Sequence, residues 1–319
     1  MVKKRALSAE TTVMPPYEEL AYEASVKSGA QPSTAAIAAS VTRMASALDG
    51  TLNEVVRGKP DTVRLALVAL LSGGHLLIED VPGVGKTLLA KALARATGGT
   101  FGRVQATPDL LPADVTGVEV FHKGTERWEF RPGPIFANVV LADELNRATP
   151  RTQAALLEPM EERQVTVDGT TRPLPVPFFL VATQNPREHA GTFPLPEGQR
   201  DRFALVVSMG HPDRASEREI LLGRGGTEHL EDVETVTDPD GLKHAIALVR
   251  NLHCAESVAD YIVDINQATR TRADVVLGAS PRAGLNLINA SRAHAVIAGS
   301  SYVAPDDVKP VAEGVLAQR

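Results

Sequence analysis

From about Ala36 to Leu70, apolar residues recur three and four positions apart, with a break near Gly58 and Pro60, and this spacing predicts two helices. The run His75-Leu76-Leu77-Ile78-Glu79 then predicts a buried strand, followed by a glycine-rich turn and a helix from Thr87 to Ala96 that Gly98-Gly99 would end. Further unbroken apolar runs at Asn138–Ala142, Phe178–Thr183 and Phe203–Met209 suit parallel strands covered on both faces. Helical patterns such as Pro150–Glu162 separate them, so the first part of the chain reads as an α/β fold, a parallel sheet with helices on either side.

Past Gly210-His211-Pro212 the strand signals stop, and helical periodicity covers Ala215–Leu222, Gly241–Leu252, Ser257–Arg270, Pro281–Ala298 and Pro305–Ala317. Residues 1–35 carry no period and predict a disordered N-terminal tail. The expected organisation is therefore a tail at 1–35, an α/β core at 36–210 and a small all-helical domain at 211–319.

Composition narrows the chemistry. With 43% hydrophobic and 23% charged residues the chain is an ordinary globular sequence. Its 39 acidic and 33 basic residues leave a net charge of -6, which offers no global attraction for phosphate backbones and makes nucleic acid an unexpected partner. The single cysteine, Cys254, excludes an internal disulfide, and no Cys/His cluster suggests zinc. No export signal or membrane-length apolar stretch occurs, so the expected location is cytoplasmic.

The segment Asp80-Val81-Pro82-Gly83-Val84-Gly85-Lys86-Thr87 matches the phosphate-binding template G-x-x-x-x-G-K-[ST] except at its first position, where Asp80 replaces glycine. A triphosphate needs inward-facing backbone N–H groups and a helix N-terminus. Gly83, Val84, Gly85 and the helix opening at Thr87 and Leu88 would supply them, Lys86 would reach the β- and γ-phosphates, and the Thr87 hydroxyl would take one magnesium position. Val139-Val140-Leu141-Ala142-Asp143-Glu144 is a buried strand ending in two acids; Asp143 can hold magnesium and Glu144 can orient the attacking water. A second strand delivers Asn185, a candidate contact for the γ-phosphate and the water.

This order of elements resembles AAA+ P-loop ATPases. The stretches Gln105–Pro112, Phe130–Phe136, Asp143–Ala148 and Gln153–Met160 resemble the MoxR family, with likeness from about residue 45 to the end. That resemblance implies an αβα nucleotide-binding core with a helical lid, ATP and Mg2+ as ligands, and a chaperone-like ATPase that matures protein complexes as a homo-oligomeric, hexameric ring. A partner carrying a von Willebrand factor A domain is implied as well.

It also implies roles for single residues. Arg202 matches the arginine inserted into a neighbour's site, with Arg200 as an unusual second arginine. Arg282, on the helix opened by Ser280-Pro281, matches a lid arginine that contacts the γ-phosphate in its own subunit. Val55 and Val56 would pack on adenine, and a hairpin around Lys123-Gly124 would be the family's insert. The alternatives are a magnesium-chelatase-like subunit and an ATP-switched scaffold that does not hydrolyse.

Overall fold

The computed structural model describes residues 34–186, 191–223, 229–275 and 277–317. Residues 1–33, which hold nearly all of the segment read as a tail, lie outside the described residues.

Helices α1 (Thr34–Val55) and α2 (Pro60–Leu71) lead into strand β1 (Leu76–Glu79). Pro60 opens α2, where its missing N–H costs nothing, and the Pro lies just past the break that the spacing marks. Helix α3 (Lys86–Ala96) and strand β2 (Phe101–Gln105) complete the first βαβ unit.

An insert comes next, with α4 (Pro112–Thr116) and an antiparallel hairpin of β3 (Gly117–His122) and β4 (Arg127–Pro132). Phe121 and Trp128 pack against each other on it, tilted by 53° with ring centroids 5.3 Å apart. Strand β5 (Val139–Asp143) precedes two short helices, α5 (Pro150–Ala154) and α6 (Leu157–Glu162). The single helix expected over Pro150–Glu162 is thus broken at Ala155-Leu156. Pro159 has no N–H to offer the carbonyl four residues back, which ends the continuous ladder there.

A hairpin that the hydrophobic pattern did not announce, β6 (Gln164–Val167) with β7 (Thr170–Pro173), turns on Asp168-Gly169, both at positive φ. Strand β8 (Phe179–Gln184), helix α7 (Glu197–Arg200) and strand β9 (Leu205–Val207) close the core.

The sheet is parallel with strand order β2-β5-β8-β1-β9, so β1 lies between β8 and β9. Alternate strand residues face opposite sides, as the pleat requires. Leu76, Ile78, Val139, Leu141, Phe179 and Val181 join one apolar cluster, while Leu77, Val140, Ala142, Leu180 and Ala182 join the other. That two-sided burial is why these strands read as unbroken apolar runs.

The C-terminal part contains α8 (Arg214–Leu221), α9 (Pro239–Arg250), α10 (Glu256–Thr271), α11 (Pro281–Ile297) and α12 (Pro305–Leu316). Two-residue strands β10 (His253–Cys254) and β11 (Tyr302–Val303) pair in parallel, which joins the chain just past α9 to the chain just past α11. Leu242, Val249, Leu287, Ala290 and Val311 belong to the same apolar cluster as Leu48, Leu52 and Leu67 of α1 and α2, so the helical part packs on the helices that precede the sheet. No helix among the described residues is long and apolar enough to cross a membrane.

Candidate functional site

Strand β1 ends at Glu79, and the turn Asp80–Gly85 carries the chain to α3. Gly83 and Gly85 adopt φ of 86° and 100°, a region open to glycine at little cost. A Cβ at Gly83 would meet nothing within 4 Å, so backbone conformation, together with the space in front of the turn, sets the demand for glycine there. Lys86 opens the helix, is buried, and donates from Nζ to the Asp80 carbonyl at 2.7 Å. Burial lowers its pKa, while the charges of Asp143, Asp80 and Glu144 oppose that shift; the ammonium therefore lies in the field of both strand-end acids.

Asp80, the departure from the template, is a fastening. Its carboxylate accepts hydrogen bonds from the Val81 N–H at 2.7 Å, the Ser208 hydroxyl at 2.9 Å and the Gly210 N–H at 2.5 Å. Burial pushes this carboxyl up, but the hydrogen bonds outweigh it and hold the pKa below its usual value. A depressed carboxyl contributes stability above its unfolded pKa and loses it as pH falls through the folded one. Asp80→Ala is accordingly expected to cost about 1–3 kcal/mol at pH 7. Urea melts repeated from pH 7 downward should show the gap to wild type closing below the usual carboxylate range; a gap that stays constant with pH would remove the linkage.

The two acids close β5. The Thr183 hydroxyl donates to Asp143 Oδ1 at 2.8 Å and accepts the Glu144 N–H at 2.8 Å, so one side chain on β8 orients both. Glu144 adopts φ of 55°, a strained conformation for a non-glycine residue that the surroundings must impose. Its carboxylate lies 3.1 Å from Arg147 Nε and 3.4 Å from Gln105 Nε2. Asp143 Oδ2 pairs with Arg103 at 2.7 Å.

All the residues read from the sequence as a cradle come together. Val55, Val56, Gly83, Val84, Gly85, Lys86, Thr87 and Leu88 line one cavity of 420 Å3, and Asp143 and Glu144 line it too. Sequence reasoning missed Arg57, Lys59, Pro212 and Ile220 on the same wall. Lys59 Nζ donates to the His211 carbonyl at 2.5 Å, which ties the loop between α1 and α2 to the start of the C-terminal part. The Thr87 hydroxyl and the Asp143 carboxylate are hard oxygen donors on one cavity, which suits magnesium. No group of three or more His, Cys, Asp or Glu side chains able to hold a metal occurs among the described residues, so the remaining ligands would be phosphate and water, as magnesium prefers.

Three expected residues lie elsewhere. Asn185 lines a separate cavity of 180 Å3 with Asn146 and Arg200, and its carbonyl accepts from Asn146 Nδ2 at 3.4 Å. Arg200 is turned inward to Glu79 at 3.0 Å, beside the Gln184–Glu79 hydrogen bond. Arg202 and Arg282 instead converge on Glu161 of α6: Arg202 Nε is 3.1 Å and Arg282 Nη2 2.5 Å from its Oε1. Burial raises the Glu161 pKa, but the two guanidiniums outweigh it and lower the carboxyl overall. Arg282, expected at the γ-phosphate of its own subunit, is not among the residues lining the Lys86 cavity. The Ser280 hydroxyl, which caps α11 by accepting the Ala283 N–H at 3.1 Å, also donates to Asp201 at 3.0 Å, and that anchor holds the helix start at α7.

Known proteins resemble this chain over most of its length. Residues 75–205 match the model of the ATPase family associated with various cellular activities (AAA), and residues 267–319 match the AAA lid domain. Protein YeaC of Bacillus subtilis is 47% identical over 84% of this chain and 84% of its own length. Chaperone MoxR1 of Mycobacterium tuberculosis is 42% identical over 84% of this chain and 73% of its own. Protein MoxR of Paracoccus denitrificans is 33% identical over 85% and 86%. A crystal structure from Cytophaga hutchinsonii superposes with a TM-score of 0.81 at 35% identity, over 88% of both chains. With the glycine turn and the paired strand-end acids on one cavity and these relatives spanning most of its length, the chain belongs to the MoxR family of AAA+ ATPases.

Proposed function

We propose that this chain hydrolyses ATP as a cytoplasmic homo-oligomeric ring, a hexamer, and couples turnover to chaperone-like remodelling of a protein complex, with a partner that carries a von Willebrand factor A domain. Residues 36–210 form the nucleotide-binding core in this reading and 211–319 the lid. The observation that carries it is the shared cavity: a buried lysine on a glycine turn faces two acids from a separate strand.

Val55 and Val56 line the cavity and would pack on adenine, and the N–H groups of Gly83–Thr87 would serve the phosphates. Lys86 neutralises charge on the β- and γ-phosphates. Thr87 and Asp143 would hold magnesium, which neutralises further phosphate charge when bound. Asp143 also holds Arg103 through its Oδ2, so the metal would share this carboxylate with a guanidinium. Glu144 orients water, and Asn185, which lines a separate cavity just past the end of β8, is assigned the γ-phosphate contact from its place at the strand end alone. Arg202 and Arg282 share Glu161, and in this reading they act as a pair in the site of a neighbouring subunit.

Lys86→Ala is the direct test. Equilibrium binding of a fluorescent ATP analogue with magnesium should weaken by about 10–100-fold, from loss of a buried charge-assisted phosphate contact. Equal affinity in the variant would overturn the assignment of this cavity to nucleotide.

A further inference from the structure

A second cavity, of 440 Å3, opens at the other ends of the strands from the Lys86 turn, between the core and the lid helix α9. Its floor is apolar, made by Leu70, Pro177, Phe178 and Phe179, with Ile246 and Ala247 contributed by α9. Its polar groups are almost all cationic: Arg163, Lys243 and Arg250 line it, and no carboxylate does.

Among the described residues these cations pair with no acid. Arg163 donates to the Gly73 carbonyl at 2.8 Å, contacts His75 Nε2, and lies over the Phe178 ring with its Cζ 5.7 Å from the centroid, all neutral groups. His75 is itself held neutral. Burial and then the Arg163 charge depress its pKa, and its Nδ1 accepts the Leu180 N–H at 3.0 Å. Among the described residues no ion pair involves Arg163, Lys243 or Arg250. The guanidinium end of Arg250 lies against Gly73, where a Cβ would come within 2.8 Å of Nη2. Burial, and then the like charge of Arg250, bring Arg163 down to about 10, and no acid offsets this.

We propose that this cavity between the core and α9 is a second ligand site, for a small organic anion that sets an apolar body on Phe178, Phe179 and Ile246 and its charged head among Arg163, Arg250 and Lys243. The volume is within the range of small-molecule sites, and the wall has their usual make-up, apolar with a few convergent polar groups. Like-charged guanidiniums brought together in a partly buried pocket are stabilised by an anion that bridges them, and a guanidinium offers a fork suited to carboxylate, sulfonate or phosphate. Because α9 supplies one wall and the core the other, an occupant would bridge lid and core. This site is separate from the Lys86 cavity and independent of ATP hydrolysis.

The test uses the full chain with ADP in excess and 8-anilinonaphthalene-1-sulfonate as the probe, an anion with an aromatic body. Titration followed by fluorescence should show a saturable component that ADP does not displace. Arg250→Glu, at the exposed rim, should weaken it by about tenfold or more through charge reversal, and Ala247→Phe should abolish it by filling the space while leaving every cation in place. Thermal melts matching wild type establish that both variants are folded. A component unchanged in both folded variants, or one fully displaced by ADP, would overturn the proposal. Loss in Ala247→Phe with no change in Arg250→Glu would overturn the anion-specific part of it and leave only an apolar crevice.

Discussion

Glu144→Gln is expected to lower ATP turnover by about 10²–10⁴-fold, the usual contribution of a positioned general base, while ATP affinity remains near wild type. The substitution preserves shape and removes only the charge and basicity of the carboxylate. It leaves Lys86, the glycine turn and Asp143 untouched, and the Glu144 backbone remains bonded to Thr183 Oγ1. Phosphate release under saturating ATP, set beside equilibrium binding of the same nucleotide, separates the two effects. Turnover equal to wild type would remove Glu144 from the reaction. Absent turnover in both proteins would favour a switch that binds without hydrolysing.

The second large effect concerns the subunit interface. Arg202→Ala is expected to lose about 10³–10⁵ in turnover, the range for an arginine that offsets transition-state charge. The pairing on Glu161 adds a discriminating experiment, because Arg202 and Arg282 share one carboxylate and neither lines its own subunit's cavity. Mixing Lys86→Ala with Arg202→Ala subunits one to one should restore activity at about a quarter of interfaces if they assemble at random in a closed ring. Mixing Lys86→Ala with Arg282→Ala should do the same. Recovery with Arg202→Ala alone would return Arg282 to its own subunit's site; recovery with neither, at any mixing ratio, would rule against either arginine acting in a neighbouring subunit.

How much of this was visible in the sequence depends on whether each feature is local. The strands were legible because burial on both faces leaves unbroken apolar runs, and β5 and β8 fall within a residue of where those runs lie. The cradle was legible because phosphate chemistry requires glycines, a lysine and a hydroxyl in one short stretch. Residues that act through distant partners left no such trace. Glu161 reads as one more acid on a solvated helix until the fold sets two arginines, 41 and 121 positions away, against it. Thr183 reads as the polar end of a strand, although its hydroxyl fixes the geometry of both acids. The β6–β7 hairpin did carry a local signal, Asp168-Gly169, which the apolar pattern overshadowed because its strands are mostly polar on both faces.

Asp80 has a consequence that extends past the cleft. Its one carboxylate grips the start of the glycine turn through Val81 and, through Ser208 and Gly210, the stretch from which the chain departs for α8. The mechanical path from the mouth of the cleft to the root of the C-terminal helices is therefore a single side chain long. A lever so short leaves little slack, so movement at either end must be felt at the other.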